Sequence, residues 1–191
     1  MNYVVFDIET RNIFQDVGRA DPVLLDISVV GVYDRATDTY SSYLQEQFND
    51  MWPLFEKADM LIGYNSDHFD IPLLNKYYPG DLTKIKSLDI LKEIKDSIGR
   101  RVRLDQVAEG TLGKRKSGQG LQAVEWWKKG EINKIIKYCL MDVKITKEVF
   151  DYALTNNKLL FKEGGKKNEI PLNTSTWLHV PEQSMTHTLG F

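Results

Sequence analysis

The sequence predicts one α/β domain built on a mixed β-sheet with helices flanking it. Two observations carry that expectation. Short β-branched and aromatic runs crowd the first 90 residues, and helical spacing of apolar residues dominates from there on. Strands first and helices later, in one stretch of ordinary globular composition, suit a layered α/β fold. With 191 residues, 42% hydrophobic and 27% charged, the chain can bury a substantial core.

The elements follow in order. Residues 3–8, opening Tyr3-Val4-Val5-Phe6, read as a buried strand, and the polar stretch after it is a loop marked by Gly18 and Pro22. Residues 27–33 and 39–44 are β-rich runs around the turn Asp34-Arg35-Ala36-Thr37-Asp38, which predicts a hairpin. Residues 46–58 are helix-like and 60–64 form a short apolar strand. Asp70-Ile71-Pro72 starts a helix, with Asp70 near the cap and Pro72 in the first turn. Residues 87–90 offer a further strand. Leu104, Val107, Ala108 and Leu112 share one helical face, and a long helix is spelled by Ile132, Ile135, Ile136, Cys139, Leu140, Val143 and Val149. A Lys/Gly-rich loop, Gly113-Lys114-Arg115-Lys116-Ser117-Gly118-Gln119-Gly120, separates these helical regions, and residues 158–172 predict a hairpin about Gly164-Gly165.

Charge is uneven along the chain. The net charge is -2, but residues 1–83 carry 5 Lys/Arg against 14 Asp/Glu, residues 84–137 carry 14 against 7, and residues 138–191 carry 6 against 6. The middle third is therefore the candidate polyanion-facing surface, although an exposed turn carrying solvated charge gives the same pattern. The single cysteine, Cys139, excludes an internal disulfide and a Cys-rich zinc site, and the three histidines lack ligand spacing. No apolar run reaches membrane-spanning length and the N-terminus shows no leader-like segment, so the expectation is a cytoplasmic protein with no membrane partner.

Four carboxylates carry the chemistry. Asp7 and Glu9 are two apart in a strand, so they point to the same face. Asp142 lies four residues after Tyr138 on the helical row Ile135, Tyr138, Asp142, Ile145, Val149, which is otherwise core-facing. Asp70 closes Asn65-Ser66-Asp67-His68-Phe69-Asp70. An acid directed inward is costly without a partner, and clustered carboxylates stay jointly ionised only beside cations. Hard divalent cations take oxygen ligands, and two of them about 3.5 to 4 Å apart activate water and stabilise a leaving oxygen in phosphodiester cleavage. Each piece alone has an ordinary reading: Asp70 as a helix cap, Tyr138 as a core tyrosine, Asn65 as an amide closing a strand-to-helix turn.

In combination the motifs resemble a known group. Phe6-Asp7-Ile8-Glu9-Thr10, then Gly63-Tyr64-Asn65 through Phe69-Asp70-Ile71-Pro72-Leu73-Leu74, then Tyr138-Cys139 through Asp142-Val143 look like the three exonuclease motifs of the DEDD superfamily. The tyrosine four before the last aspartate marks the DEDDy branch, since the histidine-type branch places His where this chain has Lys137. Asn-x-x-x-Phe-Asp followed by Ile-Pro is most similar to the 3′-to-5′ exonuclease domain of family B DNA polymerases, and Leu104-Asp105-Gln106-Val107-Ala108-Glu109 with Leu112-Gly113 also resembles a segment of it. The likeness covers roughly residues 3–154.

That resemblance implies an RNase H-like fold and a role for each matching residue. Asp7, Glu9 and Asp142 would hold the cation that activates water, Asp7 would bridge to a second, and Asp70 would support that second site. The ions would be Mg²⁺ or Mn²⁺. Tyr138 and Glu9 would orient the water; Thr10 and Asn65 are candidate substrate contacts, and Lys114, Arg115 and Lys116 a candidate phosphate clamp. The expected organisation is an exonuclease domain over residues 1–157, with a hairpin and tail over 158–191 packed on it. No polymerase palm, fingers or thumb fits in 191 residues, so the expectation is a stand-alone enzyme that releases nucleoside monophosphates from single-stranded DNA 3′ ends, with a replication or repair protein as a candidate partner. An RNA-trimming exonuclease and a non-catalytic nucleic-acid-binding or partner-binding module are the competing readings.

Overall fold

The computed structural model describes residues 1–114 and 120–179. The chain runs β1 (Tyr3–Thr10), α1 (Phe14–Val17), β2 (Ile27–Asp34), β3 (Thr39–Tyr43), α2 (Phe48–Glu56), β4 (Met60–Gly63), α3 (Asp70–Asn75), β5 (Lys86–Asp89), α4 (Ile90–Ile98), α5 (Leu104–Leu112), α6 (Gly120–Lys128), α7 (Ile132–Asn156), β6 (Lys158–Glu163) and β7 (Lys166–Pro171). Five strands form a mixed sheet in the order β3-β2-β1-β4-β5. The β1-β2 and β2-β3 pairs are antiparallel, and β4 lies parallel to both β1 and β5. The expected mixed sheet flanked by helices is what the chain forms.

Local differences have local causes. The first strand runs past residue 8 to Thr10 because β2 keeps pairing with it through an irregularity between Glu9 and Thr10. The loop after it contains α1 and a 3₁₀ turn, Pro22–Leu24, which starts where the Asp21 carboxylate accepts the Val23 N–H at 3.2 Å. The helix expected from residue 46 opens as a 3₁₀ turn, Gln45–Gln47, and becomes α-helical only at Phe48. Asp70 is the first helical residue of α3, and Phe69 holds the cap position instead. The nine-residue helices α4 and α6 have no counterpart among the individually expected elements.

Strand alternation sorts the core. On β1, Val4, Phe6 and Ile8 face α2 and α3, with Met51, Trp52, Phe55, Leu73 and Leu74. Tyr3 and Val5 face the other way, into a core with Val149, Phe150 and Ala153 of α7. Asp7 and Glu9 continue this second face, so the alternation that buries Tyr3 and Val5 also aims both acids at α7. The helix can lie close because β2 offers Gly31 opposite it. A Cβ at Gly31 would stand 2.9 Å from the Cys139 sulfur and 3.0 Å from Val143 Cγ2.

The hairpin β6-β7 shares the α7-side core: Leu159, Phe161, Ile170, Leu172 and Trp177 pack with Val5, Tyr33 and Phe150. Trp177 stacks on Phe150 with centroids 5.8 Å apart, and its indole N–H donates to Glu93 at 3.1 Å. The Lys86 ammonium donates to the Trp177 and His179 carbonyls at 2.8 Å each. Among the described residues no helix is long and apolar enough to cross a membrane.

Candidate active site

The site opens where two strands part. β4 pairs with β1 only along Tyr3, Val4 and Val5, so the rest of β1 borders a cavity on that side. Its volume is about 550 Å³, and Asp7, Glu9, Thr10, Asp70, Tyr138 and Asp142 all line it. Ligand oxygens of Asp7, Glu9 and Asp142 lie within 4.8 Å of one another. Glu9 and Asp142 are buried and Asp7 is half-buried. The sequence therefore placed three of its four acids in one cluster, and the fourth, Asp70, lines the same cavity outside that triplet.

Burial governs the electrostatics. Desolvation first, and the Asp89 carboxylate second, push the Asp70 carboxyl up to about 8, against a smaller opposing pull from its own N–H and that of Ile8. The Cys139 thiol is held well above its ordinary range by burial and then by the charges of Asp7, Glu9 and Asp142. It stays protonated and sits 3.3 Å from the Asp7 carbonyl oxygen, where it donates a hydrogen bond. Cys139 thereby ties α7 to β1 directly under the acids.

The remaining expected residues divide. Thr10 ends β1, and its hydroxyl donates to the Asn12 carbonyl at 2.8 Å. Asn65 both closes the turn after β4, at φ +69°, and lines the cavity, while its side-chain oxygen accepts from Arg101. Lys114 is absent from the cavity lining, and its ammonium pairs with Glu148 on α7. Arg115 and Lys116 lie outside the described residues.

Two contributors escaped the sequence reading. Asp89 caps α4 through the Leu91 N–H at 2.9 Å and also accepts the N–H groups of Asn65 at 2.7 Å and Asp67 at 3.2 Å. It fixes the segment that leads into Asp70. Trp126 on α6 meets the Tyr138 ring edge-on, with centroids 5.8 Å apart, and so holds the tyrosine against the cavity. In the sequence Asp89 falls only within the strand expected at residues 87–90, and Trp126 has no assigned role. Leu121 and Val124 of α6, with Phe14 and Phe69, give the cavity an apolar side.

The donor set suits hard cations: the triplet offers only carboxylate oxygens. Asp7, Glu9 and Asp142 would hold such a cation through these oxygens, and the ion would supply charge to offset their mutual repulsion. Asp7, Glu9 and Asp142 thus fit a divalent cation, and Asp70 lines the same cavity.

Comparison with known proteins bears on the fold and the superfamily. The RNase H superfamily matches residues 4–154. The chain belongs to that superfamily. No curated protein matches it. A solved structure of similar fold is the family B DNA polymerase from the hyperthermophilic archaeon Pyrobaculum calidifontis, at 20% identity and a TM-score of 0.61, over 81% of this chain. The chain spans only 24% of that polymerase chain, and at this identity the likeness is one of fold. Membership of the RNase H superfamily points to a nuclease acting on nucleic acid, and RNase H-like nucleases use divalent metals.

Proposed function

We propose that this RNase H superfamily member is a DEDDy-type 3′-to-5′ exonuclease, dependent on Mg²⁺ or Mn²⁺, that releases nucleoside monophosphates from single-stranded DNA ends. The observation that carries the reading is the convergence of the Asp7, Glu9 and Asp142 carboxylates within 4.8 Å on the wall of a 550 Å³ cavity. A cavity of that volume is in the range of small-molecule sites and accommodates a terminal nucleotide.

In this reading Asp7, Glu9 and Asp142 hold one cation, and Asp70 with Asp7 supports a second. Bound there, such ions lower the pKa of the attacking water and neutralise charge on the phosphodiester. The chain's own groups do the positioning. The Tyr138 hydroxyl and Glu9 orient the water, and Trp126 keeps the Tyr138 ring from turning away. Thr10 and Asn65 contact the strand near the scissile linkage, and Phe14, Phe69, Leu121 and Val124 supply an apolar surface for a base, which tolerates any sequence because every base has a flat face. Lys114, Arg115 and Lys116 act as a phosphate clamp, for which Lys114 must exchange Glu148 for a phosphate. Residues 1–157 are the exonuclease unit, to which the hairpin and tail from residue 158 are added.

Single strands of DNA and of RNA, labelled at either end, test the proposal in Mg²⁺, in Mn²⁺ and in chelator. The expected result is release of the 3′-terminal label first, a ladder of shortened 5′-labelled fragments, faster turnover of DNA, and no reaction in chelator. Chelator-resistant hydrolysis, or first release from the 5′ end, would overturn the assignment. Faster turnover of RNA would favour the RNA-trimming reading.

A further inference from the structure

The acid-lined cavity is bordered by a second concavity of opposite character. It measures about 230 Å³ and lies between the loop of residues 65–68 and α4, with Asn65 lining both. Lys92, Lys95 and Arg101 line it. Among the described residues, no lysine or arginine lines the main cavity. We propose that this second concavity binds the phosphate backbone of the substrate strand on the 5′ side of the linkage being cleaved. The inference rests on the exonuclease reading of the main cavity and adds the route by which the strand reaches it.

Three observations carry it. First, neither acid in the concavity closes it to a phosphate: one is buried, and the other is less exposed than the lysine beside it. Asp89 is buried and occupied by the N–H groups of Asn65, Asp67 and Leu91. The Asp67 side chain accepts the Ser87 hydroxyl and is 35% exposed, against 63% for Lys92, which reaches it only at 4.0 Å. Lys95 is one turn from Lys92 on the same helix, so both point along one side of α4.

Second, other basic residues are already matched at short range: Arg100 by Glu163 at 2.7 Å, Lys162 by Glu109 at 2.8 Å, Lys134 by Glu131 at 2.9 Å, and Lys114 by Glu148. Among the described residues, no carboxylate forms a salt bridge with Lys95 or Arg101. Phosphates can therefore approach them without displacing an acid.

Third, Arg101 is aimed. One guanidinium nitrogen donates to the Asn65 side-chain oxygen. The segment that carries it is tied down next door, where the Tyr64 hydroxyl donates to the Val102 carbonyl at 2.7 Å. An arginine held by one nitrogen keeps its other donors for a phosphate, and its planar fork matches that group. A chain of net charge -2 holds a polyanion only by concentrating cations locally, and here three of them adjoin the acid site.

The test compares binding and turnover of a thymidine dinucleotide and a dodecamer across a salt series, in wild type and in a Lys92→Ala/Lys95→Ala/Arg101→Ala variant. Lys92→Gln/Lys95→Gln, which leaves the Arg101 contact to Asn65 intact, guards against a folding defect. Lys166→Ala/Lys167→Ala, on the exposed start of β7, controls for total charge. Binding is read by anisotropy in chelator, where nothing is cut, and kcat/KM is read in Mg²⁺.

The expected result is a loss of about tenfold or more on the dodecamer at low salt, little loss on the dinucleotide, and a salt slope of log K lower by about 0.7 for each lysine or arginine removed. The β7 control keeps the wild-type slope. An unchanged slope in both groove variants, or equal losses on both lengths, would overturn the groove while leaving hydrolysis, and the exonuclease reading, in place. If wild type cuts neither strand yet the groove variants still flatten the binding slope, the exonuclease reading fails and the phosphate groove stands.

Discussion

The two halves of β1 differ in their strand partners and in the chemistry of the face they turn to α7. Tyr3 to Phe6 is hydrogen-bonded between β2 and β4 for most of its length and is apolar on both faces. From Asp7 to Thr10 only β2 remains as a partner, and the α7-side positions become Asp7 and Glu9. The helix α7 repeats the contrast, with Val149, Phe150 and Ala153 in the core at one end and Tyr138 and Asp142 at the cavity toward the other. One periodicity runs through both halves. The apolar half uses it for stability, and the acid half uses the same rigid placement to hold like charges together, which is a cost in folding and a requirement for cation binding.

Breaking the acid half should have the largest effect. Asp142→Ala should abolish hydrolysis while the circular dichroism spectrum and cooperative unfolding persist, because removing one of several repelling carboxylates relieves strain in the metal-free protein. A rate within tenfold of wild type would contradict the comparison. Breaking the apolar half should do the reverse. Phe150 is fully buried between Tyr3, at 5.3 Å, and Trp177, at 5.8 Å. Phe150→Ala should cost about 3 to 5 kcal/mol of stability, read as a lower denaturant midpoint, with hydrolysis retained wherever the protein stays folded.

A smaller effect separates positioning from cation binding within the acid half. Tyr138→Phe keeps the ring and its contact with Trp126 and removes only the hydroxyl. The chemical step should slow by about 10- to 1000-fold with Mn²⁺ affinity unchanged. Weakened Mn²⁺ binding in that variant would show that the hydroxyl belongs to the ion site.

The acid half is legible in the sequence for a physical reason. Asp7, Glu9 and Asp142 occupy positions where strand and helix periodicity call for apolar residues, and such a violation asks for a partner. The hairpin at residues 158–172 was visible only through its Gly164-Gly165 turn, since Lys166 to Glu169 is polar throughout. Other features depend on which chain segments become neighbours. Asp89 falls within an expected strand, and its bonds to Asn65 and Asp67 exist only because β5 lies beside β4. Trp126 meets Tyr138 across two helices, and Lys114 meets Glu148 from 34 residues away. No local pattern announces contacts of that kind.

The comparison also predicts a pH dependence of the metal-free protein. The Asp70 carboxyl titrates near 3.8 in an unfolded chain and is pushed up to about 8 in the fold. Between those values the native state binds the extra proton, so the stability from this group is complete below the lower value and is lost as pH rises through the higher one. In chelator, the denaturant midpoint should fall from pH 5 to pH 8, and Asp70→Asn should flatten that fall. A wild-type midpoint that rises over this interval, with Asp70→Asn following it, would show that Asp70 ionises freely in the fold.

Calorimetric titration of Mn²⁺ into the metal-free protein addresses the central claim most directly, because it asks what the acid half is for without relying on any substrate. Wild type and Tyr138→Phe should bind Mn²⁺ alike, and Asp7→Asn, which removes the acid shared between the two proposed ion sites, should lose that binding. Absence of Mn²⁺ binding by wild type at millimolar concentration, or wild-type binding by Asp7→Asn, would contradict the account.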